Sequence, residues 1–245
     1  MSSLAEKYML ADLLLKVRQE TGSIADLAPY SVSRFEALSL QLEVADRYAA
    51  AGDPVAGWKV AYTSGGQRDR MGAGYRPFGF IPASRVLPSG ASVPLSAFRQ
   101  PAVEIEICLR AGQDGAAVEA APAFELTDKR TPADADDGTV LADGCANWGI
   151  VVGSFVPLPA TLLTGLEGRL FRDGTRVGSL RPGGTMDDPL LSFDRLKARL
   201  AGYGRSVSPG QCVITGSLLK CAVDSASGWT GEIEGLGSVR LSFTR

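Results

Sequence analysis

The chain has 245 residues, 45% of them hydrophobic and 21% charged, with a formal net charge of −2. This near-neutral balance, with no dense Lys/Arg block, argues against nucleic acid as a partner, and no apolar run is long enough to span a membrane. Histidine is absent altogether. That excludes Ser-His-Asp and Cys-His catalysis and histidine-ligated zinc. Acid–base work falls to Asp, Glu, Lys, Tyr or water, and a bound metal must use oxygen ligands, which suits Mg²⁺, Mn²⁺ or Ca²⁺.

The first residues, Met1 to Lys7, have no basic stretch followed by an apolar core, so no secretory leader is expected. Cys108, Cys145, Cys212 and Cys221 are scattered without a CxxC pair, and Cys108 and Cys212, in strand-like runs, read as reduced core residues. The expectation is a cytoplasmic enzyme or binding protein acting on a small molecule.

Residues 4–20 read as a helix, with Leu4, Met9, Leu10, Leu13, Leu14 and Val17 at three- and four-residue spacing, broken at Thr21-Gly22-Ser23. A second helix begins at Ser33, where Ser33 and Glu36 fit a capping box. Phe35, Leu38, Leu42, Val44 and Ala45 supply its apolar stripe, and Gly52 stops it. Residues 1–52 are thus expected to form a helical N-terminal segment on a β-rich body, 53–245, within one domain.

Val55 to Tyr62 reads as a strand, with Lys59 among apolar neighbours; a lysine so placed calls for an anionic partner or a function. Met71 to Gly79 is glycine-rich and aromatic, as in a mobile flap. Phe78 to Val86 leads into another strand region. The central strand is Pro101 to Leu109. Its Val103, Ile105, Ile107 and Leu109 alternate with Glu104, Glu106 and Cys108, which sends both glutamates to one face. At a separation of ~6–7 Å and an effective dielectric of ~20, their repulsion is roughly 2–3 kcal/mol, which a cation between them would relieve. Ala121 to Asp128 brings two more carboxylates, Glu125 and Asp128, the loop 129–138 reads as surface, and Gly149 to Gly153 as a strand. Asp173-Gly174 marks a hairpin, 192–200 a short helix, and 211–214 and 238–243 further strands. The frequent strands and turn signals give an α+β, β-rich fold.

The order of seven fragments resembles the fumarylacetoacetate hydrolase superfamily, in its 2-oxopent-4-enoate hydratase and 4-oxalocrotonate decarboxylase branch. They are Gly57-Trp58-Lys59-Val60 with Thr63-Ser64, Phe78-Gly79, Val103 to Ile107, Pro122 to Glu125, Ala142-Asp143, Thr215-Gly216-Ser217 and Leu236 to Val239. The resemblance implies a mixed-strand β-roll, oligomeric assembly, and Mg²⁺ or Mn²⁺ held by Glu104, Glu106 and Glu125. It also implies a substrate pocket lined by Lys59, Thr63, Phe78, Thr215, Gly216 and Ser217, with Lys59 and Glu106 as catalytic groups. Three carboxylates and a divalent cation leave the site near −1. A chelated 2-oxo acid would gain Lewis-acid assistance as an enolate-like charge develops.

The chain departs from the resemblance at Pro77, where many hydratases carry an acid before the Phe-Gly pair, and at Gly144 to Asn147. Arg76 is a candidate for a second anionic group of the substrate. The expectation is a metal-dependent hydratase- or decarboxylase-like lyase acting on a 2-oxo acid, specialised for its own substrate. The alternatives are an isomerase, a cyclase or a C–C hydrolase acting on a 1,3-dicarbonyl compound, or a non-catalytic binding protein.

Overall fold

A computed structural model describes residues 4–19, 32–132 and 134–245. Helix α1 spans Leu4–Gln19, α2 Arg34–Ala50, α3 Asp137–Ala142 and α4 Pro189–Ala201. The strands are β1 Val55–Val60, β2 Phe78–Pro82, β3 Val86–Pro88, β4 Ala91–Pro94, β5 Pro101–Ala111, β6 Ala117–Asp128, β7 Asn147–Val152 and β8 Val156–Pro157. They continue with β9 Gly168–Arg172, β10 Thr175–Leu180, β11 Cys212–Ala222, β12 Ser227–Ile233 and β13 Gly237–Thr244.

The larger sheet runs β2-β1-β11-β5-β6-β7-β3, with β8 on β6; the second runs β10-β9-β12-β13-β4. Most pairs are antiparallel, but β1–β11 and β3–β7 are parallel, so the sheet is mixed as expected. It rolls until β2 lies against β7. Small residues permit this curl. On the face that carries the glutamates, Cys108, Ala121, Ala123 and Cys212 pack with Ile81, Ile150, Val152 and Ile214. The opposite face of β5 and β6 packs on the second sheet. There Gly231 makes room, since a Cβ on it would lie 2.8 Å from both Ile105 Cδ1 and Phe124 Cε1. Both faces of β5 are therefore buried, where alternation alone allowed a half-exposed strand.

The capping box of α2 forms as read: the Ser33 hydroxyl accepts from the Glu36 amide, and the Glu36 carboxylate accepts from the Ser33 amide. The stripe is shifted, however. Leu38, Leu42, Val44 and Ala45 are buried, while Phe35 is exposed and stacks on Tyr203. In α1, Leu10, Leu14 and Val17 are buried and Met9 is exposed. The expected break at 21–23 lies outside the described residues.

The stretch 71–79 is not a free flap: Met71, Arg76, Pro77 and Phe78 are buried, and β2 begins within it. The loop after β6 is likewise not all surface. Arg130 is buried there, and the loop ends in α3, capped by Asp136. The Asp173-Gly174 hairpin between β9 and β10 and the helix around 192–200 form as expected.

Candidate metal centre and its cavity

The ladder between β5 and β6 sets Glu104 directly opposite Glu125, and Glu106 opposite Ala123. Since side chains alternate along a strand, all three carboxylates share one face. One oxygen from each lies within 4.8 Å of the others. At an effective dielectric of ~20, like charges at that separation repel by roughly 3 kcal/mol per pair. Like charges opposite each other in a ladder destabilise a sheet, so this arrangement needs compensation.

Part of it comes from lysines. Lys59 Nζ lies 2.7 Å from Glu125 Oε1 and donates to the Cys145 carbonyl at 3.1 Å. Lys220, opposite Glu104 in the β5–β11 register, donates to its Oε1 at 2.7 Å. Asn147 Nδ2 donates to Glu125 Oε1 at 2.7 Å. A bulge in β11 at Thr215-Gly216-Ser217 turns the Gly216 amide inward, where it donates to Glu106 Oε2 at 2.8 Å.

The compensation is incomplete. Burial, then the charges of Glu125 and Glu104, push the Glu106 carboxyl well above its ordinary range. Burial also raises Glu125, although Lys59 opposes it. Glu104 resists burial and is held low by Lys59 and Lys220. Burial acts against the Lys59 ammonium, but Glu125 and Glu104 outweigh it and hold the group charged. Glu125 Oε2 is buried with no hydrogen-bond partner. An all-oxygen donor set, an orphaned carboxylate oxygen and a carboxyl unable to ionise comfortably together fit a hard divalent cation.

These groups open into a cavity of about 510 Å³. Lys59, Tyr62, Thr63, Glu104, Glu106 and Cys145 contribute to its wall, as do Gly216 and Ser217. Gly144, Cys145 and Ala146 form three consecutive left-handed residues, with φ of 76°, 56° and 63°. This costly conformation for non-glycine residues aims the Cys145 carbonyl at Lys59. Burial pushes the Cys145 thiol up to about 12. The turn is held from behind. Arg130 Nε donates to Asp143 Oδ1 at 2.8 Å and its Nη2 to the Asn147 carbonyl at 2.9 Å, while Arg18 Nη1 donates to the Asp143 carbonyl at 2.9 Å.

Of the expected site residues, Lys59, Thr63, Glu104, Glu106, Gly216 and Ser217 line the cavity, and Glu125 backs it. Three others do not line it. Phe78 pairs with Val60, one residue out of phase with Lys59, so its ring goes to the opposite face between Trp58 and Tyr203. The role of its neighbour is steric: a Cβ on Gly79 would lie 2.9 Å from the Gly144 carbonyl oxygen. Arg76 is buried in ion pairs with Asp187 at 2.6 Å and Asp69 at 2.7 Å, so it is not available to a substrate. Asp187 also takes Arg68 and Arg195, and its amide donates to the Thr63 carbonyl. Thr215 is buried with its hydroxyl on the Ile107 carbonyl.

Sequence reasoning missed Asn147, Lys220, Arg130 and the Gly216 amide as partners of the cage. Only the unusual run at 144–147 hinted at the first. Lys220 becomes legible once the β5–β11 register is known.

No family model matches the chain. A 2-keto-4-pentenoate hydratase of Paraburkholderia phymatum is 28% identical over 261 residues, covering 98% of this chain and all of that protein. A 2-keto-4-pentenoate hydratase of Burkholderia vietnamiensis is 30% identical over 208 residues, 79% of either chain. The fold is that of 4-oxalocrotonate decarboxylase from Pseudomonas putida G7, solved with magnesium and adipate. The TM-score is 0.88 at 22% identity, over 100% of this chain and 99% of that one.

Proposed function

Because the chain belongs to the hydratase and decarboxylase branch of the fumarylacetoacetate hydrolase superfamily, we propose that it is a divalent-metal-dependent lyase acting on a 2-oxo acid through an enolate-like intermediate. The observation that carries this reading is the convergence of Glu104, Glu106 and Glu125 within 4.8 Å beside the Lys59 ammonium, at the wall of one cavity.

In this reading Glu104, Glu106 and Glu125 hold Mg²⁺ or Mn²⁺. A bound ion would supply Lewis-acid chemistry to a 2-oxo acid. Lys59 remains an ammonium, so it acts as a donor and a fixed positive charge rather than as a base. It steadies negative charge that develops on the substrate oxygen. Glu106 must surrender its proton for the cage to close. The Gly216 amide then holds the carboxylate in place. Thr63 and Ser217 flank the bound acid in the cavity wall.

The proposal extends to one domain, with residues 1–52 packed on the body 53–245, and to a cytoplasmic homo-oligomer. Support comes from the packing of α2 on β1 and β2 and from exposed Leu162, Val177 and Leu180, two of them on edge strand β10. Among the described residues no helix is long and apolar enough to cross a membrane. Sedimentation of the purified protein would test the assembly.

The activity is tested by supplying the dienol form of 2-keto-4-pentenoate, and separately 4-oxalocrotonate, with Mg²⁺ and following the loss of conjugated absorbance. Turnover of at least one, abolished by EDTA and restored by Mg²⁺ or Mn²⁺, is expected. No turnover of either would remove the hydratase and decarboxylase assignments.

A further inference from the structure

One wall of the cavity, residues 59–67 with Arg70, runs out of β1 into a loop. Residues 65–70 of that loop are exposed, and a Cβ on Gly65 or Gly66 would meet nothing within 4 Å, so core packing does not hold this stretch. Ion pairs and backbone bonds do. Asp187, on the segment that leads into α4, is buried where three guanidiniums meet. Its Oδ1 lies 2.8 Å from Arg68 Nη2, and its Oδ2 lies 2.6 Å from Arg76 Nε and 2.7 Å from Arg195 Nη1. Its amide donates to the Thr63 carbonyl at 2.8 Å, Met186 bridges to Ser64, and Arg68 Nη1 donates to the Gly184 carbonyl at 2.7 Å. Arg76 closes the loop from its far side, with Nη1 2.7 Å from Asp69 Oδ1. Helix α4 adds Arg199, one turn beyond Arg195, whose guanidinium carbon lies 4.4 Å from the centre of the Tyr75 ring.

Building on the metal-held 2-oxo acid proposed above, we infer that Asp187 is a positioning residue: it stands outside the cavity, yet through Arg68, Arg76 and the Thr63 carbonyl it fixes the 62–70 wall against the tail of the substrate. Burial works against the Asp187 charge, but hydrogen bonds and charge from Arg76 outweigh it and hold the carboxyl below its ordinary range, so the ties are in place at neutral pH. A wall fixed in advance has no ordering entropy to lose when the ligand arrives. Without the carboxylate, three neighbouring guanidiniums repel one another. Arg68 and Arg195 are partly exposed and can turn to water, whereas Arg76 is buried. The stretch that loosens is therefore the loop carrying Arg68, which is the cavity wall.

The test compares the native protein with Asp187→Asn and Arg68→Gln. Calorimetry with Mg²⁺ measures two ligands: oxalate has no tail and reports the metal cage alone, while 2-oxohexanoate adds an alkyl tail that reaches the wall. Both variants should bind 2-oxohexanoate about tenfold or more weakly, with oxalate affinity held within about twofold. A merely structural role would weaken the two ligands alike. Limited digestion with trypsin should cut after Arg70 about tenfold or more faster in both variants, metal or no metal, because the loop opens locally. Asp187→Asn strands the buried Arg76; where that variant fails to fold, Arg68→Gln decides alone, since it cuts the tie at its exposed end. Unchanged 2-oxohexanoate affinity in Arg68→Gln, an equal loss for both ligands, or unchanged cleavage overturns the positioning role, while oxalate binding to the native protein keeps the metal centre standing. Failure of oxalate to bind the native protein with Mg²⁺ overturns the metal reading, and the inference with it.

Discussion

Lys59 engages one oxygen of Glu125 at 2.7 Å and leaves the other buried without a hydrogen-bond partner. One carboxylate thus has an oxygen committed to an ammonium and an oxygen free for a cation. Replacing Lys59 by Ala removes positive charge from beside the cage. We expect turnover to fall by about 10² or more, a loss typical of removing a charge stabiliser, while Mg²⁺ affinity holds or rises. Steady-state kinetics paired with metal titration would show this split, and a parallel loss of both would count against it.

Glu106 is the carboxyl least able to ionise, so its removal should separate metal binding from folding. Glu106→Ala should abolish Mg²⁺ and Mn²⁺ binding, and Glu106→Gln should leave the metal-free melting temperature unchanged or higher, because a buried repulsion disappears. Native metal affinity in Glu106→Ala would contradict the ligand set.

The raised Glu106 carboxyl also sets a pH dependence. A group whose pKa is higher in the folded than in the unfolded state favours folding most at low pH, and that contribution is lost as pH rises through the folded value. Metal-free stability should therefore decline on going up from the ordinary carboxylate range. The cation binds the ionised form, so Mg²⁺ affinity should grow over the same span. Melting curves against pH should show an Mg²⁺-induced gain that widens upwards; a gain independent of pH would refute the assignment.

Arg130 and Asp143 are both buried and share a 2.8 Å contact. Arg130→Met strands the Asp143 charge and frees the Asn147 carbonyl, so a loss of about 3–5 kcal/mol in a urea unfolding experiment is expected. Asp143→Asn, which keeps the shape without the charge, should lower turnover through the displaced turn at 144–146.

Gly216 has a φ of 145°, and a Cβ there would run into the Thr63 side chain. Gly216→Ala should disturb the amide on Glu106 and the neighbouring wall together. A rise in KM together with a fall in kcat, at near-native secondary structure by circular dichroism, would bear this out.

The cage was legible in the sequence to the extent that it obeys local rules. Strand alternation put Glu104 and Glu106 on one face, and the absence of histidine fixed the ligand chemistry as oxygen. Lys59 stood out because lysine is costly among apolar neighbours. Glu125 came only through resemblance, since nothing local states that β6 sets it opposite Glu104. Phe78 and Arg76 misled for a related reason. Their proximity in sequence to Gly79 and the cavity loop says nothing about the phase of β2 or about the distant Asp187. The Gly216 amide and the Lys220 partner depend on a bulge and a register between strands about 110 residues apart, which no periodicity encodes.

The bond from Arg18 on the first helix to the carbonyl of Asp143 reaches from the edge of the molecule to the turn that steadies Lys59. Peeling that helix away would slacken the reactive end while the two sheets stayed assembled. Gentle warming or mild denaturant should therefore silence the enzyme before its β-structure melts.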